Sequence, residues 1–275
     1  MQTYADKVAI ITGGASGIGR ALGEELAGRK ATVILADCNG ELLIETSKSI
    51  RGNNSGMTTE TLDVSDYSAV KKLVDETVKK HGRLDYIFNN AGTVVGGEVR
   101  DCSIDDWRKV IDVNLYGVVN GVNAAYPVMV KQGFGHIVNT ASLEGLMPFP
   151  TTVSYAASKF GVVGLSTGLR IEAADLGVKV SVVCPGYIKT PIFYTCKMIK
   201  LDRDKVVSGL PERFALTPRE CALEILKGVE RNKAIIVVTR LAKVMWWIQR
   251  LFPDFTLRHM QRELRKVRRD LRTEN

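Results

Sequence analysis

Short apolar runs alternate with amphipathic stretches along most of the chain. The runs are rich in β-branched residues, which is typical of buried strands, and the stretches between them carry apolar residues at helical spacing. The alternation predicts a three-layer doubly wound parallel sheet, an α/β fold whose ligands bind beyond the carboxyl ends of the strands. Helices are predicted at 41–49, at 67–80 and through Tyr155 to about 175, and strands at 7–12, 31–36, 84–88, 136–140, 178–183 and 234–238, with a further short strand ending in 62–64.

A glycine-rich turn follows the first strand. Residues 12–19 read TGGASGIG and lead into a helical pattern that starts at Ala21. Glycines permit a tight turn and close approach of the backbone, and the N-terminus of the following helix offers free N–H groups to a pyrophosphate. A tight turn without a ligand is the alternative. The flanking strand and helix favour a dinucleotide site.

The second strand ends at Asp37, roughly 20 residues beyond the glycine turn, where a carboxylate can bind the adenosine ribose hydroxyls. The same charge would repel a 2′-phosphate. Cys38 and Asn39 are uncharged, and the glycine loop has no Lys or Arg before Arg20. NAD is therefore predicted rather than NADP. As an alternative, Asp37 could cap the helix that starts near Glu41.

Tyr155 and Lys159 are separated by one helical turn, so their side chains lie on one face of the predicted helix. A nearby ammonium favours the phenolate, and this predicts that Lys159 lowers the pKa of Tyr155 towards the range useful for a general base. Many helices carry the same spacing as a solvated pair. The glycine turn earlier in the chain favours the catalytic interpretation.

Taken together, the TGxxxGxG turn, the segment 89–92 (NNAG) and the YxxxK motif resemble the short-chain dehydrogenase/reductase family, in its compact branch. The matching motifs run from Thr12 to Thr190, and the family fold is expected to extend to about Val238. The resemblance implies an NAD(P)-dependent oxidoreductase that interconverts secondary alcohols and ketones.

The resemblance also implies a catalytic tetrad of Asn114, Ser142, Tyr155 and Lys159. In the family, the serine hydrogen-bonds the substrate oxygen and the tyrosine exchanges the proton. The lysine holds the nicotinamide ribose and lowers the tyrosine pKa, and the asparagine supports a water relay to the lysine. Ser154 is a rival for Ser142, but neighbouring helix positions point about 100° apart, so Ser142 is preferred.

Further cofactor contacts follow from the same resemblance. Residues 12–19 match the cofactor loop, Asp63 and Val64 match a pair at the adenine, and residues 89–92 match a segment that steadies the sheet beside the cofactor. After a Pro-Gly turn, Ile188 and Thr190 are expected to hold the nicotinamide carboxamide. The predicted cofactor-binding set is Gly13, Ser16, Gly17, Ile18, Gly19, Asp37, Asp63, Val64, Asn90, Ala91, Gly92, Tyr155, Lys159, Pro185, Gly186, Ile188 and Thr190.

The substrate pocket is expected to be apolar and to be covered by a lid at about 191–214. A hydrophobic alcohol or ketone, lipid-like or steroid-like, is therefore expected to fit better than a sugar or an amino alcohol. One alternative is a 3-oxoacyl thioester reductase, which usually uses NADPH, and another is a non-catalytic dinucleotide sensor or scaffold. The expected pocket residues are Val94, Val95, Leu146, Met147, Phe149, Tyr187, Ile192, Phe193, Tyr194 and Met198.

Basic charge is concentrated near the C-terminus. The net charge is +8, and residues 240–275 hold ten Lys and Arg against four Asp and Glu, so residues 1–239 are nearly neutral. A catalytic domain that does not bind nucleic acid is expected at 1–239, and a basic helical extension at 240–275. Residues 241–252 are apolar but too short to span a bilayer, and an amphipathic helix is predicted beyond Pro253. The extension could contact anionic lipid, a sister subunit or the catalytic domain.

The five cysteines are scattered, odd in number and not at metal-ligand spacing. Free thiols in a reducing compartment are expected, and no metal site. The N-terminus lacks the basic and apolar segments of a signal peptide, so a cytoplasmic protein is predicted, peripherally bound to membrane if its extension contacts lipid. The family resemblance implies a homodimer or homotetramer.

Overall fold

The computed structural model describes residues 4–51 and 57–273. Seven of its strands form one parallel sheet in the order 3-2-1-4-6-7-9, and the fifth and eighth form a separate short pair. The predicted doubly wound α/β fold is confirmed. The strands are β1 (Val8–Thr12), β2 (Thr32–Asp37), β3 (Met57–Thr61), β4 (Tyr86–Asn89), β5 (Val95–Gly96), β6 (Gly135–Thr140), β7 (Val178–Pro185), β8 (Lys197–Met198) and β9 (Ile235–Val238).

Helices cover both faces of the sheet. The third, fifth and sixth helices pack in the core on one face, and the first, second and ninth pack in the core on the other. The helices are α1 (Gly17–Gly28), α2 (Gly40–Arg51), α3 (Tyr67–His81), α4 (Ile104–Ile111), α5 (Gly117–Gln132), α6 (Val153–Glu172), α7 (Ile192–Thr195), α8 (Arg203–Ser208), α9 (Pro218–Glu230), α10 (Arg240–Leu251) and α11 (Pro253–Asp270).

Burial on both faces explains why the central strands read as continuous apolar runs. All five residues of β1 are buried, and consecutive side chains alternate between the two cores. Ile10 packs on one side of the sheet and Ile11 on the other. Such a strand holds the glycine turn at a defined edge of the sheet.

The third strand ends earlier than predicted. β3 stops at Thr61, and Asp63 closes a turn in which its Oδ1 accepts from the Ser65 N–H at 2.9 Å. The next acidic residue, Asp66, caps α3 by accepting from the Ser68 N–H at 2.8 Å. These local carboxylate bonds compete with extension of the strand.

The two C-terminal helices, α10 and α11, fold back onto the rest of the chain. Thr239 caps α10, whose Met245 and Trp246 pack against the core on one face of the sheet, and α11 contacts Glu98 in the loop after β5. The Asp202 N–H donates to the Leu271 carbonyl at 2.9 Å. No helix within 4–51 or 57–273 combines the length and the apolarity needed to cross a bilayer.

An ion-pair cluster holds α11 in this position. Glu98 accepts from Arg268 at 2.6 Å and from Arg272 at 2.8 Å, and Asp101 lies 2.9 Å from Arg272 and 3.3 Å from Lys200. Both carboxylates are largely buried, with 10% and 7% of their side chains exposed. We call Glu98, Asp101, Lys200, Arg268 and Arg272 the α11 latch. Two basic residues of the predicted extension, Arg268 and Arg272, therefore form ion pairs within the chain.

Candidate active site

A cavity of about 840 Å³ lies at the carboxyl ends of the parallel strands. Gly13 follows β1, Asp37 ends β2, Asn90 follows β4, and Thr140 and Pro185 end β6 and β7; all five residues line this cavity. The location matches the general rule for open α/β sheets, in which ligands bind beyond the carboxyl strand ends.

The glycine loop forms one wall as a backbone cradle. Gly13 and Gly17 have φ of +66° and +54°, a region that favours glycine, and a Cβ on Gly19 would lie 2.1 Å from the Gly13 carbonyl oxygen. Ser16 precedes α1 without a side-chain cap, and the first turn carries no acidic residue. Among the described residues, no side chain caps the N–H groups of this helix terminus, and the cradle fits a pyrophosphate.

The segment after β4 is tied to the glycine loop through Thr12. The Thr12 hydroxyl oxygen accepts from the backbone N–H groups of Asn90 at 3.0 Å and of Ala91 at 3.1 Å. The Asn90 side chain donates to the Thr12 carbonyl at 3.1 Å. These bonds fix the two strand ends relative to each other on the floor of the cavity.

Asp37 holds the glycine loop and lies on the cavity wall. Its carboxylate accepts from the Ala15 N–H and from the Asn39 N–H, each at 3.0 Å. The cap of α2 is Asn39, whose side chain accepts from the Leu42 N–H at 3.1 Å. The alternative of Asp37 as the helix cap is therefore wrong, because Asn39 occupies that position.

Ser142, Tyr155 and Lys159 line the same cavity as the glycine loop. Ser142 follows β6, and α6 carries the other two side chains one turn apart. Lys159 Nζ donates to the Thr140 carbonyl at 2.8 Å and lies 5.5 Å from the centre of the Tyr155 ring. The strand end and the helix thus converge to place a hydroxyl, a phenol and an amine together.

The electrostatics of Tyr155 differ from the sequence prediction. Burial raises the pKa of Tyr155, the charge of Glu144 adds to this, and a hydrogen bond with Ser142 acts in the opposite direction. Burial also lowers the pKa of Lys159 to about 8. The pKa of Tyr155 is therefore raised in the chain alone, against the predicted lowering by Lys159, because desolvation of the phenolate dominates.

Asn114 lies in a π-helical turn between α4 and α5, Asp112–Tyr116. Its Oδ1 accepts from the Thr93 N–H at 2.8 Å, and its Nδ2 donates to the Thr93 carbonyl at 2.9 Å and to the Ser158 hydroxyl at 3.2 Å. Turns of this type occur frequently at functional sites. The side chain is fully buried, and it ties the segment after β4 to α6 rather than lining the cavity.

Most of the predicted cofactor residues share the cavity. Asp63 and Val64 lie outside its lining, since β3 ends early and Val64 packs in the core, and Gly19 lies behind the cradle. Of the expected substrate-pocket residues, six line the cavity and Val95, Leu146, Met147 and Tyr194 do not. The predicted cofactor residues that line it are Gly13, Ser16, Gly17, Ile18, Asp37, Asn90, Ala91, Gly92, Tyr155, Lys159, Pro185, Gly186, Ile188 and Thr190.

Two parts of the cavity wall are absent from the sequence prediction. Glu144, two residues after Ser142, lines the cavity, and so do five apolar residues of the extension: Leu241, Ala242, Met245, Val267 and Leu271. The spacing of apolar residues in the extension predicted an amphipathic helix, but this spacing does not show which surface the apolar side chains cover. The extension is thus a structural part of the pocket.

Comparison with known proteins agrees with the family resemblance of the sequence motifs. A family model described as short chain dehydrogenase matches residues 7–197. The 3-oxoacyl-acyl-carrier-protein reductase FabG of Thermotoga maritima is 38% identical over 220 residues, which cover 80% of this chain and 89% of FabG. The cyclohexanol dehydrogenase of an Acinetobacter species is 37% identical over 207 residues, covering 72% of this chain and 80% of that enzyme.

A solved structure shares the fold over nearly the whole chain. A short chain dehydrogenase/reductase from Burkholderia phymatum, crystallised in complex with NAD, superposes with a TM-score of 0.83 at 28% identity. The match covers 93% of this chain and 97% of that chain. With the family model, the relatives and the fold in agreement, this chain belongs to the short-chain dehydrogenase/reductase family of oxidoreductases.

Proposed function

We propose that this protein is an NAD-dependent oxidoreductase that interconverts a hydrophobic secondary alcohol and its ketone. The observation that carries the proposal is that Ser142, Tyr155 and Lys159 line one cavity with the glycine cradle. NAD bound along the cradle would supply the hydride acceptor, and NADH the hydride donor. The side chains of this protein bind the reacting oxygen and move its proton.

Proton transfer is assigned to Tyr155. Ser142 and Tyr155 hydrogen-bond the substrate oxygen, and Tyr155 accepts the hydroxyl proton in oxidation or donates it in reduction. Because burial raises the pKa of Tyr155, the phenolate fraction increases with pH over the working range. Oxidation is therefore favoured at alkaline pH. Lys159 Nζ lies 5.5 Å from the centre of the Tyr155 ring, and below its pKa of about 8 it is the cation that stabilises the phenolate.

Asp37 supports the choice of NAD. Its carboxylate lies at the cavity wall beside the glycine loop, and a 2′-phosphate bound there would face an uncompensated negative charge. The relative from Burkholderia phymatum that was crystallised with NAD supports the same choice. Initial rates with NAD and with NADP test it; faster turnover with NADP would reject the assignment.

The apolar end of the cavity supports a hydrophobic substrate. Its wall combines the lid with the extension, and the similarity to a cyclohexanol dehydrogenase is in line with an alicyclic or lipid-like alcohol. The side chains that form this end are Phe149, Met198, Leu201, Val206, Leu210, Phe214, Leu241, Met245, Val267 and Leu271.

The similarity to FabG favours a second candidate, reduction of a 3-oxoacyl thioester. The two functions differ in coenzyme and substrate. A screen of hydrophobic secondary alcohols with NAD, run beside acetoacetyl thioester with NADPH, distinguishes them by the absorbance of the reduced nicotinamide. Turnover of the thioester alone would replace the first proposal with the second.

The role of Tyr155 is tested with Tyr155→Phe, which removes only the hydroxyl. Turnover of the best alcohol should fall by about 100-fold or more, the range expected for loss of a general base. Tyr67→Phe, at an exposed tyrosine of α3, is the matched control. NADH binding, followed by fluorescence, should persist in both variants. A non-catalytic sensor would show no turnover in the wild type and NADH binding in all three proteins.

A homodimer or homotetramer is supported by an exposed apolar face on the helices after β5. Tyr116, Val153, Phe160 and Ile171 have between 41% and 79% of their surface exposed in the single chain. Contact with a second copy would bury these side chains. Light scattering coupled to gel filtration measures the assembly; a monomer at micromolar concentration would reject it.

Peripheral contact with anionic lipid is supported by the junction of α10 and α11. Six large apolar residues there are between 44% and 64% exposed, and we call Val244, Trp247, Leu251, Phe252, Phe255 and Leu257 the apolar elbow. The same two helices carry Lys243, Arg250, Arg258, Arg262 and Arg265, which form no ion pair with the described residues. Apolar side chains beside unpaired cations favour an anionic membrane surface. All five cysteines are free, which supports the cytoplasmic leaflet.

A further inference from the structure

Glu144 introduces a carboxyl group into the substrate end of the cavity. Among the described residues that line the cavity, the carboxylates are Asp37 and Glu144, and Asp37 lies at the glycine loop. Glu144 lies in the short 3₁₀ turn Leu143–Gly145, directly after Ser142. The Ser142 hydroxyl oxygen accepts from the Glu144 N–H at 3.1 Å. The acidic residue is thus attached to the group that binds the reacting oxygen.

The carboxyl has one hydrogen-bond partner in the described chain. Its Oε2 accepts from the Thr152 hydroxyl at 2.6 Å, while its Oε1 accepts from none of the described residues. Thr152 precedes α6 but leaves the helix terminus uncapped, so its hydroxyl is committed to Glu144. None of the ion pairs within the described residues involves Glu144. One oxygen is held in place and the other remains able to accept.

The surroundings of Glu144 disfavour its charged form when no donor is bound. Burial raises the pKa of Glu144 to about 7, and its charge in turn raises the pKa of Tyr155. A carboxylate in an apolar cavity gains most from a donor that enters with the ligand. A methylene chain alone would leave the second oxygen without a partner.

We propose that Glu144 is a specificity-determining residue that accepts a hydrogen bond from a second donor, a hydroxyl or ammonium group, on the carbon next to the carbinol. The inference rests on the proposed alcohol oxidation, because it places the reacting oxygen between Ser142 and Tyr155. Glu144 lies in the turn directly after Ser142 and lines the same cavity, so its carboxylate is the acceptor assigned to a donor on the neighbouring carbon. The substrate class is then an apolar alcohol with a vicinal hydroxyl or amino group, rather than a simple secondary alcohol.

Three matched alcohols test the proposal: 1-phenyl-1-propanol, 1-phenylpropane-1,2-diol and 2-amino-1-phenyl-1-propanol. For the purified full-length protein with NAD, kcat/KM for the diol or the amino alcohol is divided by that for the simple alcohol. The wild-type ratio should be about 10 or more, the effect of a hydrogen bond to a charged acceptor. Glu144→Leu should bring the ratio to about 1, since the side chain keeps a similar size but loses the acceptor.

Two further variants identify the donor and separate a structural role. Glu144→Gln keeps an acceptor oxygen without charge, so a hydroxyl preference should survive in it and an ammonium preference should disappear. Thr152→Val removes the donor within the protein, and the preference over the simple alcohol should remain. Melting temperature and NADH binding show that each variant is folded. Loss of the ratio in Thr152→Val with an unchanged ratio in Glu144→Leu would show that the turn, not the carboxylate, sets the preference.

The outcomes separate this inference from the proposed function. If the wild type oxidises none of the three alcohols while binding NADH, the alcohol-oxidation proposal fails and the role of Glu144 fails with it. If the wild type oxidises them with a ratio near 1, or if Glu144→Leu keeps the wild-type ratio, only the role of Glu144 is overturned. A ratio that depends on Glu144 supports both.

Discussion

Removing the charge of Glu98 should loosen α11 from the catalytic domain. Glu98→Gln keeps the size of the side chain but weakens its bonds to Arg268, at 2.6 Å, and to Arg272, at 2.8 Å. The Glu98 side chain is only 10% exposed, so weakening its two hydrogen bonds costs about 1 kcal/mol for each bond, while Arg272 keeps Asp101 as a partner. The variant should therefore weaken docking of α11 by about 2 kcal/mol, which corresponds to a factor of about 30 in its local opening.

Hydrogen exchange followed by mass spectrometry measures this opening. Amides within Pro253–Asp270 should exchange about 30-fold faster in Glu98→Gln, while peptides from Gly117–Gln132 serve as an internal reference. The matched control is Glu263→Gln, which removes one charge from an exposed pair with Lys266 on α11 itself. Equal exchange of α11 in the two variants would refute the reasoning that the latch holds the helix.

The latch should also weaken in acid. The Arg268 guanidinium, with smaller contributions from Arg100, lowers the pKa of Glu98 from 4.5 to about 2. A carboxyl with a depressed pKa stabilises the folded form fully above pH 4.5, and this stabilisation is lost as the pH falls towards 2. When both proteins are measured at pH 3, α11 of the wild type should therefore exchange at nearly the same rate as α11 of Glu98→Gln. Since Val267 and Leu271 line the cavity, loosening α11 should also raise KM for apolar alcohols.

Other predictions concern the cofactor cradle, the base and the apolar elbow. Gly19→Ala should abolish NADH binding without unfolding, because the added Cβ would lie 2.1 Å from a backbone oxygen; unchanged NADH affinity would contradict the cradle. Glu144→Gln should shift the pH profile of kcat/KM to lower pH, since its charge raises the pKa of Tyr155; an unchanged profile would mean that Tyr155 is not the titrating base. Trp247→Gln should reduce sedimentation with phosphatidylserine vesicles, whereas Ile104→Gln, on α4 and 65% exposed against 55% for Trp247, should not; equal binding by both would reject the lipid contact.

The local residue pattern was sufficient to predict the parallel sheet and the order in which the site residues follow one another along the chain. The apolar run of β1 and the glycines that follow it depend on interactions between near neighbours, and so does the spacing of Tyr155 and Lys159 on α6. The resemblance to the family added Ser142, which lines the cavity as expected. It also added Asn114, whose side chain is buried against Thr93 instead.

The residue pattern was thus enough to predict the parallel α/β fold, the glycine turn beside Asp37, and the phenol and amine on one helix face. The three-dimensional packing was needed to show that burial raises the pKa of Tyr155, that Glu144 lines the cavity, and that α11 lines it while bound to Glu98. The reason is physical. Periodicity and turn chemistry act over a few residues, whereas desolvation and ion pairing depend on which distant segments share a surface, as with Glu98 and Arg268, 170 positions apart.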